Sequence, residues 1–363
     1  MKNITFELMV KTQSRLHISA ATSAVYDPKR GIVYRYDRRG KGLFPCTVTK
    51  SVPVLLRDES GEVGTAHVPI IPATTLRGIL RRVAAEIIEE SLLAKGQKIS
   101  HDLYQALHCG AVQRNLSGAP KDYEELVASM ENMFFGVFGG GSRMTPSKLI
   151  CNDAYPCISI LAEQGIAPQL AALPELVPIT GREGIRNLTM VDHIVRRDDL
   201  LLGKDPNAPR VIENYAEAYM ALVTDTLRRR EQQAAEEAQD DEEGPDVSRA
   251  ALSTLVFTEF VVPGVPFFVE ISLDNATESQ VGLVFKAIQA FVERGQVGGK
   301  KAVGAGRLMC SAVVMRFSNG KVHLMQAIDG TPQWDTAPIE GELAEVEKAL
   351  ADISPDDLEL AIR

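Results

Sequence analysis

The chain has 363 residues, of which 45% are hydrophobic and 24% charged, a composition ordinary for a soluble globular protein. No apolar run reaches the length of a membrane span and the first residues lack a signal-peptide core, so we predict a cytoplasmic protein without a membrane partner. Five cysteines without a Cys-x-x-Cys pair suit reduced thiols, and we predict neither a metal site nor a cofactor.

The net charge of −9 is unevenly distributed along the chain. Residues 231–246 carry −8 and residues 335–363 carry −7, which leaves +6 on the rest. We therefore predict an acidic disordered tether at 231–250, an acidic C-terminal tail at 331–363, and a mildly basic body that can follow a phosphate backbone.

The chain opens with a predicted strand in which Phe6 and Leu8 share one parity with other apolar residues. The opposite parity gives the strand a basic open face. On that face we place three candidate contacts to a nucleic-acid backbone: Lys11, Arg15 and His17.

Cations and tyrosines alternate in residues 25–41. The pattern is typical of a hairpin or loop that contacts a nucleic-acid backbone and stacks on bases, and a solvated hairpin is the alternative interpretation. The candidate contacts in this segment are Lys29, Arg30, Arg35, Arg38, Arg39 and Lys41.

Apolar spacing after residue 70 predicts a helix that starts near residue 76, with Thr74 or Thr75 as its N-cap. Arg77 and Arg81 are four residues apart in its first turns. They lie beside free N–H groups and the positive end of the helix dipole, where a phosphate binds readily. Surface arginines without a ligand are the alternative.

A run of aromatic residues ends in three glycines at residues 133–143. The helical spacing of Phe134, Phe135 and Phe138 favours core positions, whereas Ser142 and Arg143 are candidate anion contacts. The surrounding stretch from 94 to 210 has helical patches without clean periodicity.

Residues 295–307 join a predicted helix to a predicted strand. The helix begins at a capping box formed by Thr277 and Gln280 and stops at Gly295. Glycines that expose amide N–H groups beside cations suit the phosphates of a chain, and a tight connection with solvated cations is the alternative. The spacing excludes a Walker loop. The candidate contacts are Gly298, Gly299, Lys300, Lys301, Gly306 and Arg307.

These motifs, taken in order, resemble the RAMP superfamily of CRISPR proteins. The marks are an early strand, the sequence Ile-Pro-Ala-Thr-Thr-Leu-Arg-Gly, a Phe-Gly-x-Phe-Gly-Gly segment and a glycine-rich loop ending in Gly-Ala-Gly-Arg. Within that superfamily the chain is most similar to the backbone subunit of the type IV effector, which coats guide RNA. The candidate contacts above are then contacts to RNA.

The resemblance implies an α+β fold built on a ferredoxin-like (RRM-like) βαββαβ palm with large insertions. We assign residues 1–93 and 251–330 to the palm and residues 94–230 to an inserted helical and thumb region. In the family a protruding thumb hairpin wedges between guide nucleotides. Its counterpart here would hold the candidates Arg186, Met190, His193, Ile194, Arg196 and Arg197.

The function implied by the resemblance is a scaffold without catalytic residues. Copies of the chain would polymerise head to tail along guide RNA and, with other effector subunits, present it to a target DNA or RNA strand. The alternative is a type III-like metal-dependent endoribonuclease that cleaves target RNA. Asp27 and Asp37 are the only acids in the comparable stretch, and the motif of those nucleases is missing around them. A third possibility, a guide-processing ribonuclease, would use His17 or His193.

Overall fold

A computed structural model describes residues 1–22, 24–35, 42–57, 61–110, 123–141, 145–173, 176–195, nine positions between 214 and 228, and 255–362. The architecture is mixed α+β, as predicted. The chain divides into two compact units. The first comprises the described residues of Met1–Ala20, Val48–Met190 and Phe260–Arg363, and the second those of Ala21–Thr47 and Val191–Glu259.

The strands of the described residues are β1 (Lys2–Thr12), β2 (Val25–Asp27), β3 (Ile32–Tyr34), β4 (Phe44–Thr47), β5 (Ser51–Arg57), β6 (Val63–Pro69), β7 (Leu149–Cys151), β8 (Tyr155–Pro156), β9 (Thr189–Val195), β10 (Leu255–Val261), β11 (Pro266–Ala276), β12 (Leu308–Phe317), β13 (Gly320–Ile328) and β14 (Thr331–Trp334). The principal helices are α1 (Ala73–Ala94), α2 (His101–Cys109), α3 (Tyr123–Glu131), α4 (Phe135–Phe138), α5 (Ser159–Glu163), α6 (Gly181–Arg186), α7 (Glu278–Arg294), α8 (Glu340–Asp352) and α9 (Pro355–Ile362). None of the described helices is long and apolar enough to cross a membrane.

The first unit is organised around a sheet with the order β14-β13-β12-β1-β11-β7, in which β8 also pairs with β11. The central strand β1 is antiparallel to both neighbours, with Phe6 opposite Ile271 on one side and Met315 on the other. Phe6 and Leu8 are fully buried, so the predicted apolar parity of β1 is confirmed. Helix α1 lies between β1 and β7 in the chain, and α7 joins β11 to β12. A separate ladder pairs β5 with β6.

The two long helices differ in how well their starts were predicted. Helix α7 has the predicted capping box between Thr277 and Gln280 and ends at Gly295 in the left-handed region, with φ of 52°. Helix α1 begins at Ala73, before the predicted start, and its N-cap is Pro72 rather than Thr74 or Thr75. The N–H of Ala73 donates to Asp153 Oδ1 at 2.7 Å, so a residue distant in sequence supplies the cap.

The acidic C-terminal segment is folded onto the first unit. It forms β14, α8 and α9, with Ile339, Val346 and Leu358 buried. Lys2 Nζ lies 2.6 Å from Glu342 Oε1, which ties α8 to the start of β1. The acids of this segment lie largely on the exposed side of amphipathic helices, and total charge does not distinguish that arrangement from a free tail.

The second unit contains a sheet with the order β3-β2-β4-β10-β9. The rings of Tyr26 and Phe44 pack against Phe257 with centroid separations of 5.1 and 5.2 Å. The predicted tether at 231–250 lies outside the described residues and stays a prediction.

Candidate nucleic-acid interface

The loop between α7 and β12 is held against the residues that follow β1. Gly299 N donates to the carbonyl oxygen of His17 at 2.8 Å, and Gly306 N donates to that of Arg15 at 2.8 Å. In return, Gln13 N donates to the Arg307 carbonyl at 2.9 Å. These bonds bring together the first and last motifs that the sequence singled out.

Close packing explains why two positions in the loop are glycine. Gly298 has φ of 82°, and a Cβ there would lie 2.4 Å from the His17 carbonyl oxygen. Gly306 has φ of 85°, and a Cβ there would lie 2.0 Å from the Val297 carbonyl oxygen. Because Gly299 and Gly306 donate their amides to the protein itself, the prediction that these two amides contact phosphate is wrong. Their role is to fit the loop against the chain.

Uncommitted donors lie at the tip of the same loop. Lys300 has a left-handed φ of 61° and is followed by a 3-10 turn over Lys301–Val303. Such a reversal directs successive N–H groups to one side of the backbone and favours an anion there. Within the described part of the chain, the amides of Lys300, Lys301 and Ala302 have no acceptor.

Three exposed cations belong to the same loop as these amides. Lys300, Lys301 and Arg307 are exposed, and their side chains form no ion pair or hydrogen bond with any described residue. We call Lys300, Lys301 and Arg307, with the three amides, the loop cluster. Its charge of +3 is not neutralised by any described acid, so it attracts a polyanion.

The predicted basic face of β1 is only partly present. Lys11 is exposed at the end of β1. Arg15 is half-buried, with its guanidinium carbon 4.8 Å from the centroid of the Phe260 ring. His17 is 0% exposed and its Nε2 lies 2.9 Å from Ser19 Oγ, so the predicted RNA contact through this side chain is wrong. The strand ends at Thr12, and the alternation of faces does not continue beyond it.

The central strands present acids that the sequence interpretation overlooked. Arg316 Nε lies 3.0 Å from Glu7 Oε1, and Arg316 Nη2 lies 3.4 Å from Glu270 Oε2. Asn152 Nδ2 donates to the other oxygen of Glu270 at 2.7 Å. Glu7 has the same parity in β1 as Lys11, so the sequence itself indicated that an acid lies on the face predicted to be basic. This part of the sheet therefore offers phosphate no net positive charge.

Arg81 is a structural residue, and its predicted phosphate contact is wrong. It is 7% exposed. Its guanidinium donates to four carbonyl oxygens at 2.7 to 3.1 Å, those of Ala106, Leu107, Phe138 and Gly139. Burial lowers the pKa of Arg81 to about 10, so it stays protonated at neutral pH. Carbonyls at the ends of α2 and α4 supply the negative partner that the sequence suggested a phosphate would provide.

The other residues predicted to bind phosphate near Arg81 are partly hydrogen-bonded within the protein or partly buried. Arg77 Nη2 donates to the Phe138 carbonyl at 2.6 Å, so this donor serves the same helix end. Thr74 is exposed and Thr75 is half-buried. Phe134, Phe135 and Phe138 are fully buried, which confirms their predicted core positions. Ser142 and Arg143 lie outside the described residues.

The segment at 25–35 forms the β2–β3 hairpin. Lys29 and Arg30 are exposed at its turn, and their amides donate to Asp27 Oδ1 at 3.0 and 3.3 Å. Arg35 Nη2 lies 2.7 and 2.6 Å from the two carboxylate oxygens of Glu259, and both side chains are largely buried. Arg35 is therefore paired within the protein, and its predicted RNA contact stays a prediction. Asp37, Arg38, Arg39 and Lys41 lie outside the described residues.

The residues assigned to the thumb include a strand at the edge of the second sheet. Arg186 is exposed at the end of α6, Met190 is 40% exposed, and His193 is exposed in β9. The backbone of Ile194 belongs to β9. Arg196 and Arg197 lie outside the described residues.

Comparison with known proteins identifies the family. The model of the RAMP superfamily matches residues 10–309. The chain belongs to the RAMP superfamily. The matched range of this RAMP chain runs from the end of β1 through the loop cluster into β12. Among solved structures, one titled "Type IV-B CRISPR Complex" is similar over 89% of this chain and 95% of its own, with 16% identity and a TM-score of 0.42. The sequence matches none of the curated proteins with which it was compared.

No group of three or more His, Cys, Asp or Glu side chains among the described residues of the RAMP chain is arranged to hold a metal ion. The cysteines at 46, 109, 151, 157 and 310 are free thiols. Burial raises the pKa of Cys46 and of Cys151 to about 12.

Proposed function

We propose that the chain is a backbone subunit of a CRISPR ribonucleoprotein effector complex, of the type IV kind, and that it binds guide RNA through phosphate contacts. The loop cluster is the observation that carries the proposal. Lys300, Lys301 and Arg307 provide three cations, unpaired among the described residues, in the same loop as the three unpaired amides and inside the range matched by the family model. Cations and backbone N–H groups bind phosphate oxygens without reading bases.

The strand order supports a ferredoxin-like palm as the platform for this loop. Strands β12, β1, β11 and β7 are neighbours in that order, and every adjacent pair is antiparallel. With α1 between β1 and β7 and α7 between β11 and β12, the chain follows a βαββαβ path. We propose that RNA runs along the edge formed by residues 11–15 and the loop cluster. Glu7 and Glu270 make the centre of the sheet a poor surface for phosphate.

The proposed assembly is a head-to-tail row of copies along one guide RNA. A contact between different surfaces of identical chains propagates in this way when rotation does not close a ring. Other effector subunits complete the complex, and sequence recognition of target DNA or RNA is left to pairing with the guide. In this proposal the chain is not an enzyme. Asp27, one candidate for a nuclease acid, accepts two amides of its own hairpin turn.

Binding of RNA to the purified full chain tests the proposal. We expect affinity for single-stranded RNA of mixed sequence to fall steeply with salt, with little dependence on base order. Replacing Lys300, Lys301 and Arg307 together by alanine is expected to weaken binding and make the slope of log affinity against log salt shallower by about 2. The matched control replaces three exposed lysines elsewhere, Lys98, Lys321 and Lys348, by alanine.

The control carries the same change in charge. Equal weakening by both triple variants indicates attraction by total charge and contradicts a site at the loop cluster. Absence of RNA binding by the unaltered chain contradicts the proposed function itself.

A further inference from the structure

An open pocket of about 620 Å³ lies where the glycine-rich loop leaves α7 and enters β12. The end of α7 forms one side of it, with Glu293 and Arg294. Gln296 and Arg307 at the two ends of the loop and Gln13 after β1 add further polar side chains to the lining. The volume falls in the range of pockets that hold small organic groups.

Three polar side chains of this pocket are uncommitted. Gln13, Gln296 and Arg307 form no side-chain hydrogen bond or ion pair within the described residues. Each glutamine amide offers both donors and an acceptor, and it can match either polarity by rotation. The pocket therefore provides hydrogen-bonding capacity that the protein leaves unused.

The charges that line the pocket sum to about zero, because the carboxylate of Glu293 offsets the guanidinium of Arg307. Glu293 contributes a carboxylate, and the last carbonyls of α7 have no partners within the helix and carry its negative dipole end. Arg294 does not add to the positive charge of the pocket, because its Nη2 lies 2.5 Å from Glu86 Oε2. Leu308, Met309 and Pro332 add apolar surface. A flat neutral group with donors and acceptors along its edge fits this combination better than an anion.

We propose that this pocket binds one nucleobase of the RNA strand whose phosphates contact Lys300 and Lys301. The inference rests on the proposed function, because Arg307 belongs both to the loop cluster and to the pocket. The phosphate stays at the exposed tip of the loop, and the attached base turns toward the end of α7. Because glutamine amides can rotate, the pocket accepts any of the four bases and binding remains independent of sequence.

The test compares two probes that differ only in their bases: a short oligoadenylate and an abasic ribose-phosphate strand with the same number of phosphates. We expect the unaltered full chain to bind oligoadenylate about fivefold more tightly, the factor that one net hydrogen bond of about 1 kcal/mol provides. In a Gln13→Ala/Gln296→Ala variant the ratio should fall to about one, with unchanged affinity for the abasic strand. A Gln105→Ala/Gln169→Ala variant, which alters two glutamines outside the pocket, should keep the unaltered ratio.

A Lys300→Ala/Lys301→Ala variant should weaken binding of both probes equally and preserve the ratio. Thermal melting checks that each variant is folded. Tight and equal binding of both probes by the unaltered chain overturns the pocket proposal and leaves the proposed function intact. A ratio that survives in the Gln13→Ala/Gln296→Ala variant places the base elsewhere and also overturns it. If that variant instead alters self-association without RNA while the ratio persists, the pocket is a protein contact. Failure to bind either probe overturns the proposed function.

Discussion

The amide of Gly306 donates a hydrogen bond of 2.8 Å to the carbonyl oxygen of Arg15, although the two residues come from opposite ends of the chain. This bond fixes the last part of the glycine-rich loop beside the end of β1. The position of Arg307, and with it one third of the charge of the loop cluster, depends on backbone contacts that any substitution at Gly306 must disturb.

Gly306→Ala is expected to lower both stability and RNA affinity, because the new Cβ would lie 2.0 Å from the Val297 carbonyl oxygen at a φ of 85°. Gly304→Ala is the matched control, since Gly304 has φ of 79° with nothing within 4 Å of a Cβ. The control should cost about 1 to 2 kcal/mol of conformational strain, and Gly306→Ala should cost clearly more. Urea unfolding and RNA titration measure the two effects. Equal losses in both variants would contradict the packing argument.

Arg81→Leu is expected to reduce the free energy of unfolding by about 3 kcal/mol or more, because it removes four hydrogen bonds that a buried guanidinium donates to carbonyl oxygens. Arg82→Leu changes an exposed arginine of the same helix and should stay within about 0.5 kcal/mol. Denaturant midpoints distinguish the variants. A stable Arg81→Leu protein that had lost RNA binding would restore the phosphate role.

Arg35→Ala should destabilise the protein by about 3 kcal/mol, because it leaves the buried carboxylate of Glu259 without its ion-pair partner. The double variant Arg35→Met/Glu259→Leu removes both charges and should recover most of that loss. A double-mutant cycle on unfolding free energies gives the coupling between the residues. Additive effects in this cycle would show that the pair contributes nothing as a pair.

Alkaline pH should weaken the fold in part through Cys46 and Cys151. Burial raises the pKa of each thiol from 9.0 to about 12, so between these values the folded chain binds more protons than the unfolded chain. The free energy of unfolding therefore falls as pH rises through this window. A Cys46→Ala/Cys151→Ala variant should show a smaller decline in the free energy of unfolding.

Iodoacetamide at pH 8 should modify the exposed Cys109 first, as peptide mass spectrometry can verify.

An assembled complex with matched target RNA and magnesium is expected to leave the target uncut. Asp27→Ala should not alter that result, because this carboxylate accepts the amides of Lys29 and Arg30 in its own turn. Gel analysis of labelled target checks both statements. Regularly spaced products that disappear in Asp27→Ala would establish the endoribonuclease alternative.

Local sequence patterns predicted the elements that depend on near neighbours. The capping box of Thr277 with Gln280 and the helix stop at Gly295 are both present, since each is set by residues within a few positions. The apolar parity of β1 and the buried phenylalanines followed from periodicity for the same reason.

Predictions that required knowledge of distant partners were less successful. Arg81 and Arg35 looked available because their partners, the carbonyls at the ends of α2 and α4 and the carboxylate of Glu259, come from other parts of the chain. His17 is buried because β1 ends before it and the Phe260 ring packs against its imidazole, with 5.6 Å between the ring centroids. A cation motif shows where charge is present, and only the tertiary structure shows whether that charge is already neutralised.

The loop cluster is anchored through main-chain atoms of residues 13–17, whereas its charge resides in side chains that form no hydrogen bond or ion pair with any described residue. Shape and charge are therefore separable properties of this loop. Substitutions at Lys300 or Lys301 can raise or lower the attraction for a polyanion while the backbone that presents it stays in place. The affinity of this loop for a polyanion can therefore change through two side chains alone, with no change in the fold that holds them.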